Sequence, residues 1–292
     1  APGTISGSAA KARLILELRP NYSLDVLLQV VKLPRSTFYY HCARQGAEDK
    51  HAHLKEQITQ IFVQNKERYG YRRVHAQLGN QGFACNHKLV RRLMLELGLK
   101  SPVRRKRFRH WRGDLNVASP NLLERKFKAT KPNEKWVTDV TEFNVEGEKL
   151  FLSPVMDLYN GEIIAYEMHT RPQYQLVSNM LDKALERLSE SDKPIIHSDQ
   201  GWQYRMPAYR KTLAKRQCTQ SMSRKANCLD NAAMESFFGT LKSEYFYLNK
   251  FTDVEQLREG IDEYIHYYNH ERIKLKLNGL SPVQYRAQPL TV

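Results

Sequence analysis

Three consecutive segments between residues 136 and 169 constrain the fold of this chain most strongly. The segments WVTDVTEFNV, KLFLSPVMDLY and EIIAYEMH are rich in β-branched and aromatic residues, and Glu146-Gly147 and Asn160-Gly161 separate them. Dipeptides of this kind are typical of tight hairpin turns, so the pattern predicts three antiparallel strands. The rest of this domain must therefore be built around a sheet.

The segments that follow alternate between helix and strand. Helical LVSNMLDKALERL precedes a short apolar strand, PIIHSD; a helix near MPAYRKTLAK precedes a strand near CTQSM; a long helix starts at Leu229. A final helix is predicted for DVEQLREGIDEYIHYYNHERI. The order βββαβαβα predicts an α/β fold with a mixed sheet of about five strands, flanked by helices.

Three acidic residues fall at informative places in this order. Asp139 lies in the middle of the first predicted strand, Asp199 lies just past the fourth, and Glu235 lies on the long helix. Each has an ordinary structural alternative: an ion pair for Asp139, a turn cap for Asp199 and a solvated helix surface for Glu235. Functional residues are expected at the carboxyl ends of parallel strands, and together the three acids predict a metal site.

The charge of the chain indicates what such a site acts on. Lys and Arg number 46 against 31 Asp and Glu, which gives a formal net charge of +15. This balance favours a polyanionic partner, with nucleic acid first and an anionic membrane second. Two Mg²⁺ or Mn²⁺ ions about 3.5–4 Å apart are the usual device for phosphodiester chemistry. We therefore expect an enzyme that cuts or joins nucleic acid.

Several protein classes are disfavoured by features that the sequence lacks. No apolar run reaches the ~18 residues of a membrane span, and no secretory signal pattern occurs, so we expect a soluble protein with no membrane partner. The four cysteines contain no C-x-x-C pair, which argues against a zinc knuckle or a disulfide framework. Residues 1–13 are small and polar at their start, and we expect a disordered tail or a remnant of cloning.

Two helical modules are predicted ahead of the sheet. Residues 14–50 have the pattern of a helix-turn-helix, with a plain helical hairpin as the open alternative. Residues 51–99 form a second module, in which Asn86 caps HKLVRRLMLELGL. The basic side chains of both modules are candidates for contacts in a DNA groove: Arg35, Arg72, Arg73, Lys88, Arg91 and Arg92.

A basic linker is predicted between the modules and the sheet, over residues 100–131. It holds eleven Lys and Arg against two acids, with Phe108 and Trp111 interleaved. Most charge runs are solvated linkers, but interleaved aromatic rings favour a segment that lies along phosphates. The linker's candidate DNA contacts are Arg104, Arg105, Lys106, Arg107 and Arg109.

Other polar residues are candidates for DNA contact near the acids. His197 and Gln200 lie near Asp199 and could either support that carboxylate or contact DNA, with a packed strand-end histidine as the equal alternative for His197. Arg224 and Lys225 precede the long helix and suit phosphate. Asn231 and Lys242 share a helical face with Glu235, because offsets of four and seven residues repeat on one side of a helix.

These motifs together resemble a known family. The element order, with Asp139, Asp199 and Glu235, is similar to the ribonuclease-H-like DDE core shared by retroviral integrases and bacterial transposases. More specifically, the chain contains the motifs TDVTEF, HSDQGWQY, SMSRKANCLDNAAMESFFGTLK, YYNHER and GYRRVH. These motifs resemble those of the downstream-frame transposase of the insertion-sequence family whose two overlapping frames fuse by frameshifting. The resemblance implies a ribonuclease-H-like core over residues 132–270 and a C-terminal extension over residues 271–292.

The resemblance also implies functions for individual residues. Asp139, Asp199 and Glu235 match the catalytic triad that binds two Mg²⁺ ions, with Mn²⁺ as a substitute, and Lys242 matches the basic residue that touches DNA phosphate near the scissile bond. The implied activity is binding of terminal inverted repeats, nicking of the element's ends and transfer of the 3′-hydroxyl to a new phosphodiester. The implied partners are double-stranded repeat and target DNA, a second copy or a larger assembly on DNA, and an upstream-frame protein. The implied location is the bacterial cytoplasm, in association with the nucleoid.

Departures and alternatives accompany this interpretation. Ala226 stands where the family often has glycine, and Arg272-Ile273-Lys274 replaces its usual Arg-x-His, which leaves the role of that stretch open. A sequence-specific DNA-binding regulator would explain the charge and the modules but has no use for the triad. A ribonuclease H or nonspecific nuclease would explain the triad but not the modules. A retroviral-type integrase would ordinarily have a His/His/Cys/Cys zinc module, and no such spacing precedes Lys131.

Overall fold

A computed structural model of the chain describes residues 7–43, 49–103, 121–123, 128–223 and 231–289. The chain divides into two compact units, Ala1–Gln57 and Ile58–Val292. Among the described residues, no helix has the length and apolar character needed to cross a membrane.

The first unit contains three short helices around a small apolar core. They are α1 (Ser8–Leu18), α2 (Leu24–Val31) and α3 (Arg35–Ala43), and Ile15 and Phe38 are fully buried between them. Helix α2 ends at Val31 and is capped by Lys32, which has a left-handed backbone, and Pro34 precedes α3. This is the predicted helix-turn-helix region. The predicted tail is wrong in part, because α1 starts at Ser8 and buries Ala12.

The second unit begins with the second helical module. Most of helix α4 (Ala52–Gln64) belongs to this unit, and α5 (Tyr71–Asn80) and α6 (His87–Glu96) follow. Helices α5 and α6 pack together and bury apolar residues such as Val74 and Val90. The side chain of Asn86 accepts a hydrogen bond from the backbone N–H of Lys88, as predicted for the cap of this helix.

The same unit contains a mixed sheet. Its strands are β1 (Lys135–Thr138), β2 (Thr141–Val145), β3 (Glu148–Asp157), β4 (Ile163–His169), β5 (Ile195–Ser198) and β6 (Thr219–Met222). Strands β1 and β2 both pair antiparallel with β3 in one continuous register, so they are one strand interrupted at residues 139–140. On the other side, β1 runs parallel to β5, and β5 runs parallel to β6. The order β4-β3-β1/β2-β5-β6 confirms the predicted ribonuclease-H-like sheet.

Helices cover both faces of the sheet. They are α7 (Tyr174–Glu186), α8 (Trp202–Arg205), α9 (Pro207–Lys215), α10 (Ala232–Glu244), α11 (Val254–His270) and α12 (Pro282–Arg286). Successive side chains of a strand point to opposite faces, so Trp136 packs in the core formed with α7 and α9. Its neighbour Val137 packs in the opposite core, formed with α10 and α11. The single-turn helix α8 and the short helix α12 were not predicted.

The turns between the first strands follow the predicted chemistry. Glu146 and Gly147 both have positive φ, 49° and 94°, which a two-residue hairpin turn of type I′ requires. Gly161 has a φ of 71°, and a side chain there would also collide with the ammonium of Lys274. The three antiparallel strands are therefore joined where the sequence predicts.

Candidate active site

The two aspartates lie together at the carboxyl edge of the sheet. Asp139 directly follows β1 and Asp199 directly follows β5. These strands are parallel neighbours in which Val137 pairs with His197, and the same offset carried two residues further sets Asp139 beside Asp199. Asp139 lies in the middle of the continuous β1/β2 strand, as predicted, but the strand is interrupted at this residue, which the sequence does not predict. The interruption places both acids at equivalent strand ends.

Glu235 reaches this edge from the first turn of α10. The helix buries Met234, Phe237 and Leu241 against the sheet, and it packs against β1. Leu229, where the sequence predicts the start of this helix, lies outside the described residues. Because burial fixes one side of α10, Glu235 is held in the turn nearest to the aspartates.

A buried amide connects the start of α10 to β1. The side-chain Nδ2 of Asn231 donates a hydrogen bond of 3.2 Å to the backbone oxygen of Thr138, the residue before Asp139. Asn231 stands at the N-cap position of α10, but its side chain makes no capping hydrogen bond. Asn231 instead links the helix that carries Glu235 to the strand end that carries Asp139. Its position four residues before Glu235, on one helical face, was the available sequence signal.

The three carboxyl groups share an environment that favours their neutral forms. Burial, followed by the nearby charges of Asp199 and Glu235, raises the pKa of Asp139 to about 7. Burial also raises the pKa of Asp199 and of Glu235. Within the described part of the chain, none of the three forms an ion pair with Lys or Arg. Uncompensated carboxylates of this kind are stabilised by a bound cation.

The donor chemistry of this edge fits a hard divalent ion. Three carboxylates meet the preference of Mg²⁺ for oxygen ligands. Asn231 Oδ1 is buried and has no hydrogen-bond partner among the described residues, which is a further orphaned oxygen at this end of α10. The described side chains nevertheless contain no group of three or more His, Cys, Asp or Glu placed to hold a metal. The acids are therefore brought to one edge without forming a closed cage.

The turn after Asp199 depends on glycine. Asp199 Oδ1 accepts a hydrogen bond of 2.9 Å from the backbone N–H of Gly201. A Cβ at Gly201 would lie 2.9 Å from that same oxygen, so a side chain would displace the carboxylate. Tyr204, which follows in α8, is buried with its hydroxyl 3.4 Å from Thr138 Oγ1. The turn and the tyrosine together fix the direction in which the chain leaves Asp199.

The other residues predicted to contact DNA near the acids differ in where they lie. His197 is fully buried in a central strand with Nδ1 2.9 Å from Ser221 Oγ, so its prediction as a DNA contact is wrong and the packed alternative holds. Gln200 donates a hydrogen bond to the backbone oxygen of Ser223. Lys242 donates one of 3.0 Å to the backbone oxygen of Glu142, so its ammonium lies on β2. Arg224 and Lys225 lie outside the described residues.

Most predicted DNA contacts of the helical modules are exposed. Arg35 is exposed and pairs with Asp25 at 3.0 Å. Four candidates of the second module are exposed as well: Arg72, Lys88, Arg91 and Arg92. Arg73 is the exception, because its guanidinium pairs with the buried carboxylate of Glu244 at 3.1 Å, and its predicted role as a groove contact is wrong in this structure. The linker residues Arg104, Arg105, Lys106, Arg107 and Arg109 lie outside the described residues.

Comparisons with known protein families match the second helical module and the part of the chain that contains the sheet. A family model described as an integrase core domain matches residues 129–228, and a second integrase core model matches residues 235–290. An HTH-like domain model matches residues 48–107. The matches cover the sheet with its acids and the second helical module.

Relatives match along almost the whole chain. The putative transposase InsK for insertion sequence element IS150 of Escherichia coli K12 is 53% identical over 276 residues, which cover 94% of this chain and 98% of the relative. The probable transposase for IS1353 of Shigella flexneri is 42% identical, covering 96% of this chain and 55% of the relative. Transposase InsF for IS3A of Escherichia coli K12 is 32% identical, covering 92% and 96%. A simian T-cell lymphotropic virus intasome chain aligns with 80% of this chain and 76% of its own, at 14% identity and a TM-score of 0.49.

Proposed function

Because the chain belongs to the IS150/IS3 family of insertion-sequence transposases, we propose that Asp139, Asp199 and Glu235 carry out its catalysis. The chain is thus a DNA-acting enzyme with an integrase-type core, of the polynucleotidyl-transferase class. The observation that supports the two aspartates is the parallel register of β1 and β5, which sets Asp139 beside Asp199 at the strand ends. Glu235 is supported by its place in the first turn of α10, which packs against β1. The pKa of Asp139, raised in part by the charges of Asp199 and Glu235, supports the same grouping.

We infer that the three carboxylates hold two divalent ions, Mg²⁺ with Mn²⁺ as a substitute. When bound, such ions stabilise charge on the scissile phosphate and lower the pKa of an attacking water. The protein's own contribution is to deliver ionised carboxylates to one edge. Because burial raises the pKa of Asp139 to about 7, this group is partly protonated at neutral pH, and cation binding releases that proton.

In our proposal the protein's residues position the three carboxylates, and none of them attacks the phosphodiester itself. In our proposal the attacking group is water in the nicking step and the DNA 3′-hydroxyl in the joining step, so no protein nucleophile is required. Asn231 holds the backbone of Thr138 against the start of α10, which fixes Asp139 relative to Glu235. The Gly201 N–H fixes one oxygen of Asp199. These contacts reduce the movement needed to assemble the triad, as preorganisation of a site requires.

Recognition of the element's ends is assigned to the helical modules. Lys88, Arg91 and Arg92 lie exposed on α6, within the segment that matches the HTH-like domain. In such domains, phosphate contacts position the protein and base contacts specify the sequence. Two ends must be processed together, so we propose a dimer or larger assembly on terminal-repeat and target DNA. We also propose an upstream-frame partner, since the Shigella flexneri relative is much longer than the matched segment.

The test is a nicking and joining assay with one end of the element. A labelled duplex carrying a terminal repeat, its flank and a target duplex is incubated with protein and Mg²⁺. We expect the wild type to nick at the element's end and to join the freed 3′-hydroxyl to target DNA. Glu235→Gln should bind the repeat and do neither, while Glu255→Gln, a change on the exposed side of α11, should behave as the wild type.

The outcomes separate the alternatives. Binding by the wild type without nicking would indicate a DNA-binding regulator. Hydrolysis without joining would indicate a nuclease. If Glu235→Gln released and joined strands as well as the wild type, the proposed site would be wrong.

A further inference from the structure

A buried ion cluster lies at the far end of the helix that carries Glu235. Glu244 is the last residue of α10, nine residues after Glu235, and its side chain is only 4% exposed. Arg272 donates to both of its carboxylate oxygens at 2.7 Å, and the hydroxyl of Tyr264 donates to Oε2 at 3.0 Å. These three side chains belong to the integrase-type core, so the core already satisfies the charge of Glu244.

Arg73 adds a contact that comes from a different part of the unit. It lies on α5, within the segment that matches the HTH-like domain, and its Nη1 donates to Glu244 Oε1 at 3.1 Å. The same segment makes a second attachment, because the hydroxyl of Tyr69 accepts a hydrogen bond of 3.0 Å from the backbone N–H of Ile273. Since Arg272 alone neutralises Glu244 in a bidentate pair, the contact of Arg73 is best explained as a connection between the module and the core.

We propose that Arg73 is a positioning residue that fixes the HTH-like module to the helix carrying Glu235. This inference rests on the proposed function, in which the module binds the terminal repeat and Glu235 acts at the scissile phosphodiester. The Arg73–Glu244 pair then sets the distance between the recognised sequence and the nick. Its neighbour Arg72 is exposed and stays available for DNA, so two adjacent arginines have different tasks.

The test compares where the nick falls with how tightly the repeat binds. Arg73→Met keeps most of the aliphatic stem and removes the charge. We expect the repeat to bind with an unchanged salt dependence, because no phosphate contact is lost. We expect nicking at the wild-type phosphodiester to fall roughly tenfold to a hundredfold, since a small misplacement has effects of this size. Nicks should then spread to neighbouring phosphodiesters, which a loss of stability alone would not cause.

Matched variants separate positioning from DNA contact and from folding. Arg72→Met should show the opposite signature, with weaker binding, a salt slope lower by about one and a single nick position. Tyr69→Phe removes the second attachment and should scatter the nicks as Arg73→Met does. Arg73→Lys restores the charge and should recover part of the positional accuracy. Thermal unfolding of each variant identifies any that fails to fold, and Tyr69→Phe then carries the test.

Two results would overturn the proposal. If Arg73→Met weakens binding and lowers the salt slope while the nick stays at one position, Arg73 is a DNA contact. If it changes neither binding nor nick position, the attachment has no role in positioning. Should the wild type neither nick nor join, the proposed function fails, and hydrogen exchange without DNA decides the docking: faster exchange over residues 65–73 in Arg73→Met supports it, and equal rates overturn it.

Discussion

The two ends of helix α10 hold glutamates in opposite electrostatic states. At the first turn, burial raises the pKa of Glu235, which pairs with no cation among the described residues. At the last residue, burial would also raise the pKa of Glu244, but the hydrogen bonds and charge of Arg272, then the charge of Arg73, lower it to about 2. The two residues are roughly 14 Å apart along the helix. One glutamate is satisfied within the protein, and the other is, in our proposal, a ligand for a cation from outside.

The strongest test of this comparison is to remove the acids at the catalytic end. Asp139→Asn, Asp199→Asn and Glu235→Gln should each lower nicking and joining by roughly a thousandfold or more, because several kcal/mol of charge stabilisation are lost. The measurement is product formation from a labelled terminal repeat in Mg²⁺. Urea unfolding without metal should show no loss of stability, because each change removes a carboxylate whose ionised form is disfavoured. If a variant kept about a tenth of the activity, the substituted residue would not belong to the triad.

Glu244→Gln should show the reverse pattern, with a large effect on stability. Losing the carboxylate leaves the guanidinium of Arg272 buried without its partner, which costs about 3–5 kcal/mol. Urea denaturation at pH 7 measures the free energy of unfolding. The matched control is Glu142→Gln, which breaks the exposed pair with Lys149 and should cost at most about 1 kcal/mol. Equal costs for the two variants would show that Glu244 is not a structural residue.

The pH dependence of stability should differ in sign between the two ends. The pKa of Glu244 is lowered from 4.5 to about 2, so its contribution of about 3 kcal/mol is present above pH 4.5 and is lost as pH falls towards 2. The pKa of Asp139 is raised from 3.8 to about 7, so the metal-free protein should lose stability as pH rises between these values. Unfolding in a chelator, with Glu244→Gln and Asp139→Asn as references, measures each slope. Slopes of the same sign would contradict the comparison.

The sequence predicts the surroundings of Glu235, at the first turn of α10, far better than those of Glu244 at its last residue. Hairpin dipeptides, a short apolar strand and the position of Asp199 depend on local pattern, so the sheet and its edge follow from them. The interruption of the first strand at Asp139 has no such signal, because no glycine or proline marks it in WVTDVTEFNV. Arg73 was misassigned because its partner Glu244 lies 171 residues away, and an exposed arginine and a docked one have the same local pattern. His197 was misassigned because DNA contact and core packing both suit a histidine at a strand end.

A substitution of Asn231 tests how the acids near the first turn of α10 are held in place, and it leaves every carboxylate intact. Asn231→Ala removes the amide that donates to the Thr138 backbone oxygen, so Asp139 and Glu235 are held less firmly relative to each other. We expect activity or metal affinity to fall roughly 10- to 100-fold, as is typical when supporting contacts around metal ligands are lost. A titration of nicking against Mg²⁺ concentration measures both. Asn144→Ala, which removes a turn hydrogen bond to Gly147, is the control. Equal Mg²⁺ curves for the two variants would assign Asn231 to folding alone.

The smallest expected effect lies in the module attached at the Glu244 end. Lys88→Met on α6 should weaken repeat binding a few-fold and lower the slope of log affinity against log salt by about one, since one phosphate contact is lost. Nick position should stay single, because the Arg73–Glu244 pair is intact. Lys183→Met is the control, because Lys183 lies on α7, on the face of the sheet opposite α10, in an exposed pair with Glu167. It should change neither the affinity for the repeat nor the salt slope. If Lys88→Met scattered the nicks while leaving the salt slope unchanged, the division between recognition by α6 and positioning by Arg73 would be wrong. The two ends of α10 would then differ only in the electrostatic state of their glutamates, and not in function.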